Sequence, residues 1–183
     1  VSISLGAMKV AVIGGGAAGF FAAIHARENF PHAQVTIFEK SKKLLAKVKV
    51  SGGGRCNVTN GCTSITDLSK SYPRGEKKMR KALSVFNTKH TMEWFEKRGV
   101  ELTVQADNCV FPVSQNSQTI IDCFLNETSR LGVQIKTESP VIGLKRLENE
   151  IIQLEFRSGN VSEFDKIIVA TGGFLIIWYF HKH

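Results

Sequence analysis

Residues 9–19 read KVAVIGGGAAG, and this stretch decides the fold. Lys9 to Ile13 is a short, β-branched apolar run that stops at glycines, as a strand buried on both faces does. Ala17 to Asn29 is rich in alanine and ends before a proline, which predicts a helix that starts from the glycine turn. Gln34 to Glu39 is predicted as the next strand. Strand, turn, helix and strand form a right-handed βαβ unit, so we predict an α/β fold with a parallel sheet.

The glycine turn has the pattern of a dinucleotide site. Gly14, Gly16 and Gly19 fit GxGxxG. The first permits a tight turn, the second a close approach of the backbone to a pyrophosphate, and the third close packing of helix on strand. Glu39 lies 20 residues after Gly19, where a carboxylate can hold ribose hydroxyls. Because NAD and FAD share the ADP half, a nicotinamide-dependent Rossmann dehydrogenase fragment is the alternative to a flavoprotein.

A second glycine-rich loop, Ser51 to Asn57, reads SGGGRCN. It supplies backbone amides beside an arginine and an asparagine, so it can hold the remainder of an extended dinucleotide, including a ring system. A surface loop without a ligand is the alternative. Gly, Ser, Thr and Asn are frequent between residues 41 and 73, which predicts a long irregular segment. Long ordered loops inside a domain usually serve a ligand.

The remaining chain continues the α/β pattern. Helices are predicted over 76–86, 88–98 and 117–131, and short strands over 101–105 and 109–113. The inward faces of the first two helices would carry Met79, Leu83, Phe86, Trp94 and Phe95. Strands over 141–147, 151–156 and 161–164 predict an antiparallel meander. We predict a Rossmann-like parallel sheet, crossed by this meander and flanked by residues 70–132, from the strands near 9–13, 34–39, 133–137 and 166–170.

Length and composition are those of an ordinary globular domain. The chain has 183 residues, 43% hydrophobic and 22% charged, so it can bury a core without disulfides or metal. Its four cysteines show neither CxxC nor metal-ligand spacing, so we expect reduced thiols and no metal site. The longest apolar run, Phe174 to Phe180, is too short to span a bilayer. Residues 1–7 do not resemble a signal peptide, so we expect a cytoplasmic protein that starts at Met8.

Positive charge is concentrated in one segment. Between Lys40 and Arg98 there are 15 Lys or Arg against 4 Asp or Glu, whereas the rest of the chain has 9 against 12. A solvated surface is the commoner explanation of scattered lysines. A basic nucleic-acid-binding module is the alternative from a different functional class, although neither an aromatic ladder nor a base-reading motif accompanies the charge.

Several motifs, taken in order, resemble the HI0933-like or BaiN-like family of FAD-dependent oxidoreductases. They are GGGAAG at 14–19 followed by Glu39 and Lys40, KVSGGGRCNVTN at 49–60, FPVS at 111–114, SPVIGL at 139–144 and IIVATGG at 167–173. The similarity runs from Lys9 to Gly173. It places an FAD/dinucleotide-binding domain over 8–173.

The resemblance implies FAD as the cofactor. In the family the GGGRCN loop lies along the flavin and pyrophosphate, the first residue of the meander meets the adenine through its backbone, and the ATGG segment closes over the cofactor. The cofactor-binding residues implied here are Gly14, Gly16, Ala17, Ala18, Gly19, Glu39, Lys40, Ser51, Gly53, Gly54, Arg55, Cys56, Asn57, Val141, Ala170, Thr171, Gly172 and Gly173. Members are similar to amine oxidases acting on aminoacetone and to reductases of steroid-like enones, with NAD(P)H as a candidate electron donor. The sequence indicates no catalytic residue, substrate or oligomeric state.

The chain also departs from the family pattern. Family members continue into a cap domain and a later return to the FAD fold, and after Gly173 this chain reads FLIIWYFHKH. We expect residues 174–183 to be an aberrant tail from a frameshift or premature stop, with a buried terminal strand as the alternative. We therefore expect an incomplete FAD-binding portion with reduced or no activity.

Two further residues have alternative interpretations. Cys56, next to Arg55, is either a redox thiol with a lowered pKa or a small packed residue near the cofactor. His90 is either a general base or a packing residue of its helix. In both cases we favour packing.

Overall fold

The computed structural model describes residues 6–148 and 150–173, which form two compact units. The first contains the residues up to Ala46 and those from Phe124 onward, and the second runs from Lys47 to Cys123. The predicted tail, 174–183, lies outside the described residues. The assignment of 8–173 to one cofactor-binding domain, with 70–132 as a flank, stays a prediction.

The secondary structure alternates as an α/β protein requires. The helices are α1 (Ala17–Asn29), α2 (Ala46–Val50), α3 (Ile65–Lys70), α4 (Glu76–Val85), α5 (Thr88–Glu96) and α6 (Ser117–Arg130), with a 3-10 helix over Ser51–Gly54. The strands are β1 (Lys9–Ile13), β2 (Gln34–Phe38), β3 (Thr59–Asn60), β4 (Leu102–Val104), β5 (Cys109–Pro112), β6 (Gln134–Lys136), β7 (Val141–Arg146), β8 (Ile152–Phe156), β9 (Val161–Phe164) and β10 (Lys166–Val169).

The first unit is built on a parallel sheet in the order β10-β1-β2-β6. Ile13, the last residue of β1, pairs with Val169 of β10 and with Phe38 of β2. Three strands therefore end at the same level, and the residues that follow them share one edge of the sheet. In open parallel sheets ligands bind outside this carboxyl edge.

Both faces of the parallel sheet are covered by apolar side chains. Phe20, Ala23 and Ile24 of α1 are fully buried. A second core cluster joins the sheet to the antiparallel meander β7-β8-β9. Within it the Phe38 ring lies 4.9 Å from the ring of Phe156 and 5.6 Å from that of Phe164. Burial on both faces explains why β1 is apolar after Lys9 and why β2 contains only one polar residue, Thr36, after Gln34.

The second unit combines short helices with the antiparallel sheet β3-β5-β4. Trp94 and Phe95 of α5 and Val110 and Phe111 of β5 are buried in it. Of the five side chains predicted to face inward, Leu83, Trp94 and Phe95 are buried, whereas Met79 and Phe86 are only partly covered.

The predicted architecture is confirmed in the sheet and in the meander. The prediction of one long irregular segment over 41–73 is wrong, because α2, the 3-10 helix, β3 and α3 all lie within it. Ser64 caps α3 by accepting a hydrogen bond from the Asp67 N–H, a signal present in the sequence. β3 is visible only through its pairing with β5.

None of the helices formed by residues 6–148 and 150–173 has both the length and the apolar character needed to span a membrane.

The packing of α1 on β1 predicts an unusual response to a glycine replacement. Gly19→Ala in a solvent-exposed helix would stabilise the fold by up to about 1 kcal/mol. Here the added Cβ would lie 1.9 Å from the Gly14 carbonyl oxygen. We expect urea denaturation to show a loss of roughly 1–3 kcal/mol, the cost of overpacking.

Gly6→Ala is the control for this prediction, because its Cβ meets no described atom within 4 Å. It should leave the free energy of unfolding almost unchanged. Equal stability of the Gly19→Ala variant and the wild type would contradict the close approach of α1 to the turn.

Candidate functional site

The glycine turn lies where β10, β1 and β2 end. Ala170, the residue after β10, donates its N–H to the Ile13 carbonyl, 2.8 Å away. A Cβ on Gly14 would lie 2.4 Å from the Ala170 carbonyl oxygen. The turn and the ATGG segment are therefore in direct main-chain contact, and Gly14, with φ of 120°, is required by both its conformation and its neighbour.

Glu39 is attached to the glycine turn through its carboxylate. Its Oε2 accepts the Gly15 N–H at 2.8 Å, and its Oε1 accepts both the N–H and the hydroxyl of Ser41, each at 2.9 Å. The carboxylate is thereby held in one orientation at the carboxyl edge of the sheet. Its side chain is half-buried, and the following Lys40 is exposed.

Three further residues belong to this arrangement but were not predicted from the sequence: Gly15, Ser41 and Leu45. A Cβ on Gly15 would lie 2.9 Å from atoms of both Glu39 and Leu44. Leu45 donates its N–H to the Gly15 carbonyl at 2.8 Å, and its side chain is buried. The available signal for Gly15 was its place in the middle of a run of three glycines, where GxGxxG requires only the first and the third. Leu45 carries no comparable signal, because its contact depends on how the chain returns after β2.

The N-terminus of α1 is exposed beside this carboxylate. Ala17 and Ala18 are exposed, and the first turn of the helix contains no acidic residue. First-turn N–H groups of a helix lack intrahelical acceptors, so they form a site for an anion. Gly16 precedes them with extended backbone, and its Cβ would meet no described atom within 4 Å.

The other residues predicted for the first unit are placed as follows. Val141 opens β7, and its side chain is buried in the core cluster, so only its backbone is free to meet a ligand. The Glu39 carbonyl accepts the Ser139 N–H at 2.9 Å, which brings the SPVIGL motif to the same edge. Thr171 is partly exposed, and Gly172 and Gly173 are exposed.

The SGGGRCN loop belongs to the second unit. Ser51 donates its hydroxyl to the Val48 carbonyl at 3.0 Å. Gly52 and Gly53 have φ values of 55° and 67°, and Gly54 has 87°. A Cβ on Gly52 would lie 2.7 Å from the Phe111 ring, whereas one on Gly53 would meet no described atom within 4 Å. The loop thus packs on β5 at one end and leaves its middle open.

Arg55 is held by three neighbours within the second unit. Its guanidinium carbon lies 4.0 Å from the centre of the Phe111 ring. Its Nε donates to the Gly52 carbonyl at 3.2 Å, and a terminal nitrogen donates to the Gln115 side chain at 3.4 Å. Phe111 opens the FPVS motif, so this motif supports the loop.

Asn57 fastens the end of the loop to β5. Its side-chain oxygen accepts the Val110 N–H at 3.2 Å, and its side-chain nitrogen contacts the Cys109 sulfur at 3.4 Å. Asp107 raises the pKa of the Cys109 thiol through a side-chain hydrogen bond. The Asn57 side chain therefore has a structural role in addition to its predicted contact with the cofactor.

Cys56 is a packed residue of the loop, and His90 caps the start of its helix. Cys56 is 5% exposed, and burial raises the pKa of its thiol. The alternative of a lowered pKa is therefore wrong. His90 accepts the Asn87 N–H at its Nδ1, and Asn87 accepts the His90 N–H, which forms a capping box at the start of α5.

The hydrogen bonds of Glu39 lead to a stability prediction. Glu39→Gln places an NH₂ group where the carboxylate accepts from Gly15 and Ser41, so a hydrogen bond is lost. We expect the free energy of unfolding in urea to fall by about 1–2 kcal/mol. Ser41→Ala removes the hydroxyl with its hydrogen bonds to Glu39 and to the Lys43 main chain, but it leaves the two main-chain donors on the carboxylate and should cost less, because Ser41 is exposed. A larger loss in the Ser41→Ala variant would contradict the anchoring role of the carboxylate.

The burial of Cys56 leads to a prediction of thiol reactivity. A raised pKa leaves less thiolate at a given pH, and alkylation requires the thiolate. At pH 7.5 we expect iodoacetamide to modify Cys56 at least about tenfold more slowly than the partly exposed Cys62, as followed by peptide mass spectrometry. Denaturation with urea should remove the difference. Preferential labelling of Cys56 in the folded protein would support the rejected redox-thiol interpretation.

Comparison with known proteins shows the family of the chain. The model of the HI0933-like protein Rossmann domain matches residues 8–176. A 3-dehydro-bile acid delta(4,6)-reductase of Clostridium scindens is 30% identical over 166 residues, which are 90% of this chain and 39% of that protein. A ribosomal RNA dihydrouridine synthase of Haemophilus influenzae is 26% identical over 164 residues, 88% of this chain and 39% of that protein. The chain thus spans 39% of the length of either relative.

The fold is shared with larger enzymes. Quinol fumarate reductase FrdA of E. coli superposes with a TM-score of 0.64 at 14% identity, covering 91% of this chain and 32% of that chain. The predicted Rossmann-like α/β class is confirmed. The matched family is one of FAD-dependent oxidoreductases, which confirms the enzyme class and cofactor predicted for the parent family. By its sequence from residue 8 to residue 176, the chain belongs to the HI0933-like family as that family's Rossmann domain.

Proposed function

We propose that this chain holds FAD for a reductase that saturates a carbon–carbon double bond conjugated to a carbonyl group. The observation that carries the cofactor assignment is the exposed N-terminus of α1 next to the oriented Glu39 carboxylate. Both lie at the carboxyl edge of the parallel sheet, where dinucleotides bind in this fold class.

The residues present fit a pyrophosphate. The space in front of Gly16 is clear of described atoms, and a side chain at this position would occupy it. The N–H groups of Ala17 and Ala18 and the positive end of the helix dipole are directed at a negative charge placed there. The absence of acidic residues from the first turn of α1 removes the repulsion that such a charge would meet.

The residues also fit the ribose. A carboxylate has about four acceptor positions on its two oxygens. Three are used by the N–H of Gly15 and by the N–H and hydroxyl of Ser41. Acceptor capacity therefore remains for a ribose hydroxyl, and the half-buried side chain is already oriented, which lowers the entropic cost of binding.

The further contacts are proposed from the family pattern. In the first unit they are the backbone of Val141, Lys40, and the segment from Ala170 to Gly173. In the second unit they are Ser51, Gly53, Gly54, Arg55, Cys56 and Asn57. The packing of Arg55 on Phe111 keeps a positive charge at this loop, which suits an anionic part of a ligand.

The reaction class is proposed from the two relatives. One is named for reduction of the delta(4,6) double bonds of a 3-dehydro bile acid and the other for the formation of dihydrouridine. Both names describe saturation of a double bond conjugated to a carbonyl, in a steroid and in a pyrimidine. Bound FAD supplies hydride transfer in such chemistry, and the protein binds and orients it. We propose NAD(P)H as the source of the electron pair.

Cofactor binding is tested with the purified 183-residue chain. After incubation with FAD and desalting, we expect visible flavin absorption and quenching of flavin fluorescence in proportion to the protein. A preparation that binds NADH but cannot be loaded with FAD would instead support the nicotinamide-dependent alternative.

A matched pair of glycine variants locates the site. Gly16→Ala should weaken FAD binding by about tenfold or more, because the methyl group enters the space proposed for the pyrophosphate. Gly6→Ala also adds a methyl group in open space, but outside the site, and should leave the dissociation constant unchanged. Urea unfolding of both variants shows whether a loss of binding comes from a loss of folding. Unchanged FAD affinity in a folded Gly16→Ala variant would contradict the proposal that the pyrophosphate binds at this turn.

A further inference from the structure

We propose that an exposed basic face formed by α4, the turn before it and the last residue of α3 binds the sugar-phosphate backbone of single-stranded RNA. The residues of this face, called the α4 basic face below, are Lys70, Tyr72, Arg74, Lys77, Lys78 and Lys81. All six are exposed. The proposal of RNA binding is argued from the charges and the aromatic ring described below. Only its purpose, to bring an RNA substrate to the reductase, rests on the proposed function.

Most of the positive charge on this face is without an acidic partner. Lys70 pairs with Asp67 at 2.8 Å, and Arg80 on the same helix pairs with Glu76 at 2.9 Å. In the described part of the chain, ion pairs are absent from Arg74, Lys77, Lys78 and Lys81. Four cations without partners are therefore available to a polyanion, whereas the paired ones would have to exchange a carboxylate for a phosphate.

The helix arranges these charges in a row. Lys77 and Lys78 lie about one turn from Lys81, a rise of roughly 4.5–6 Å along the axis. Leu83, on the same helix, is buried and fixes which side of α4 faces the protein. A row of cations about one helical turn apart follows a chain of phosphates better than it fits a single compact anion.

Tyr72 supplies an exposed ring in the turn that precedes α4. Its side chain is 44% exposed between Lys70 and Arg74 in the sequence. Exposed aromatic rings next to phosphate-binding cations serve as stacking platforms for unpaired bases. The sequence showed positive charge without a series of aromatic residues. The exposed ring of Tyr72 provides a single stacking platform beside these charges in the sequence. A stacking ring favours RNA over an acidic protein segment, which would use the cations alone.

The test measures binding of the full chain to a fluorescein-labelled oligouridylate of about 16 nucleotides by fluorescence anisotropy. With four phosphate contacts, affinity should fall about 50-fold between about 50 and 200 mM salt, because the slope is about 0.7 per contact for single strands. The triple variant K77Q/K78Q/K81Q should lose affinity at least tenfold and most of this salt dependence. Tyr72→Ala should lose at least about fivefold through stacking.

A charge-matched variant is the control. K97Q/K145Q/K166Q also removes three exposed lysines, all outside the α4 basic face, and should keep the wild-type affinity within about twofold. Equal losses in the two triple variants would overturn the assignment, because they would show a response to net charge alone. Absence of RNA binding by the wild type at low salt would also overturn it.

Two further measurements separate the remaining outcomes. A polyglutamate peptide that binds as tightly as the RNA and depends on the same lysines would assign the face to an acidic protein partner and overturn the RNA proposal. FAD affinity, measured on the same samples, should be equal in all variants. RNA binding without FAD binding would reject only the proposed function, and FAD binding without RNA binding would reject only this inference.

Discussion

Three stretches of main chain meet at Gly14, and their separations leave no room for side chains between them. On one side, the Ala170 carbonyl lies against the Cα of Gly14. On the other side, the Gly14 carbonyl lies against Gly19. These approaches set the position of α1 on β1 and bring the end of β10 to the turn. The exposed helix N-terminus and the placement of the ATGG segment both depend on this contact, because a methyl group at either glycine would force the segments apart.

The carboxylate of Glu39 is the second element on which the first unit depends. It accepts hydrogen bonds from Gly15, before α1, and from Ser41, after β2. The carboxylate therefore links the turn that follows β1 to the loop that follows β2. The same group is the one proposed to hold the ribose. The hydrogen bonds from Gly15 and Ser41 orient the carboxylate in the absence of a ligand, so the proposed ribose site is formed before the cofactor binds.

In the second unit, the support of the SGGGRCN loop comes from β5. Phe111 carries the Arg55 guanidinium, and Val110 and Cys109 hold the Asn57 side chain. Cys56 is buried at the same place, where burial raises the pKa of its thiol. The polar groups that composition marked as candidate ligands are therefore partly structural. Their dual use is typical of loops whose conformation must be fixed to present backbone groups.

The amino-acid sequence by itself determined the βαβ unit, the parallel strands and the meander, because burial on both faces makes β1 and β2 mainly apolar and the glycines after β1 mark the turn into α1. It also predicted that Gly14, Gly16 and Gly19 form the turn and that Glu39 follows the second strand, since their spacing follows from the lengths of one helix and one strand. Only the tertiary structure decided the roles of Gly15, Ser41 and Leu45, and the packing of Arg55 on Phe111. These contacts join residues whose separation along the chain depends on loop paths, and local propensity carries no information about such paths. The same reason applies to β3, a two-residue strand that exists through its hydrogen bonds to β5.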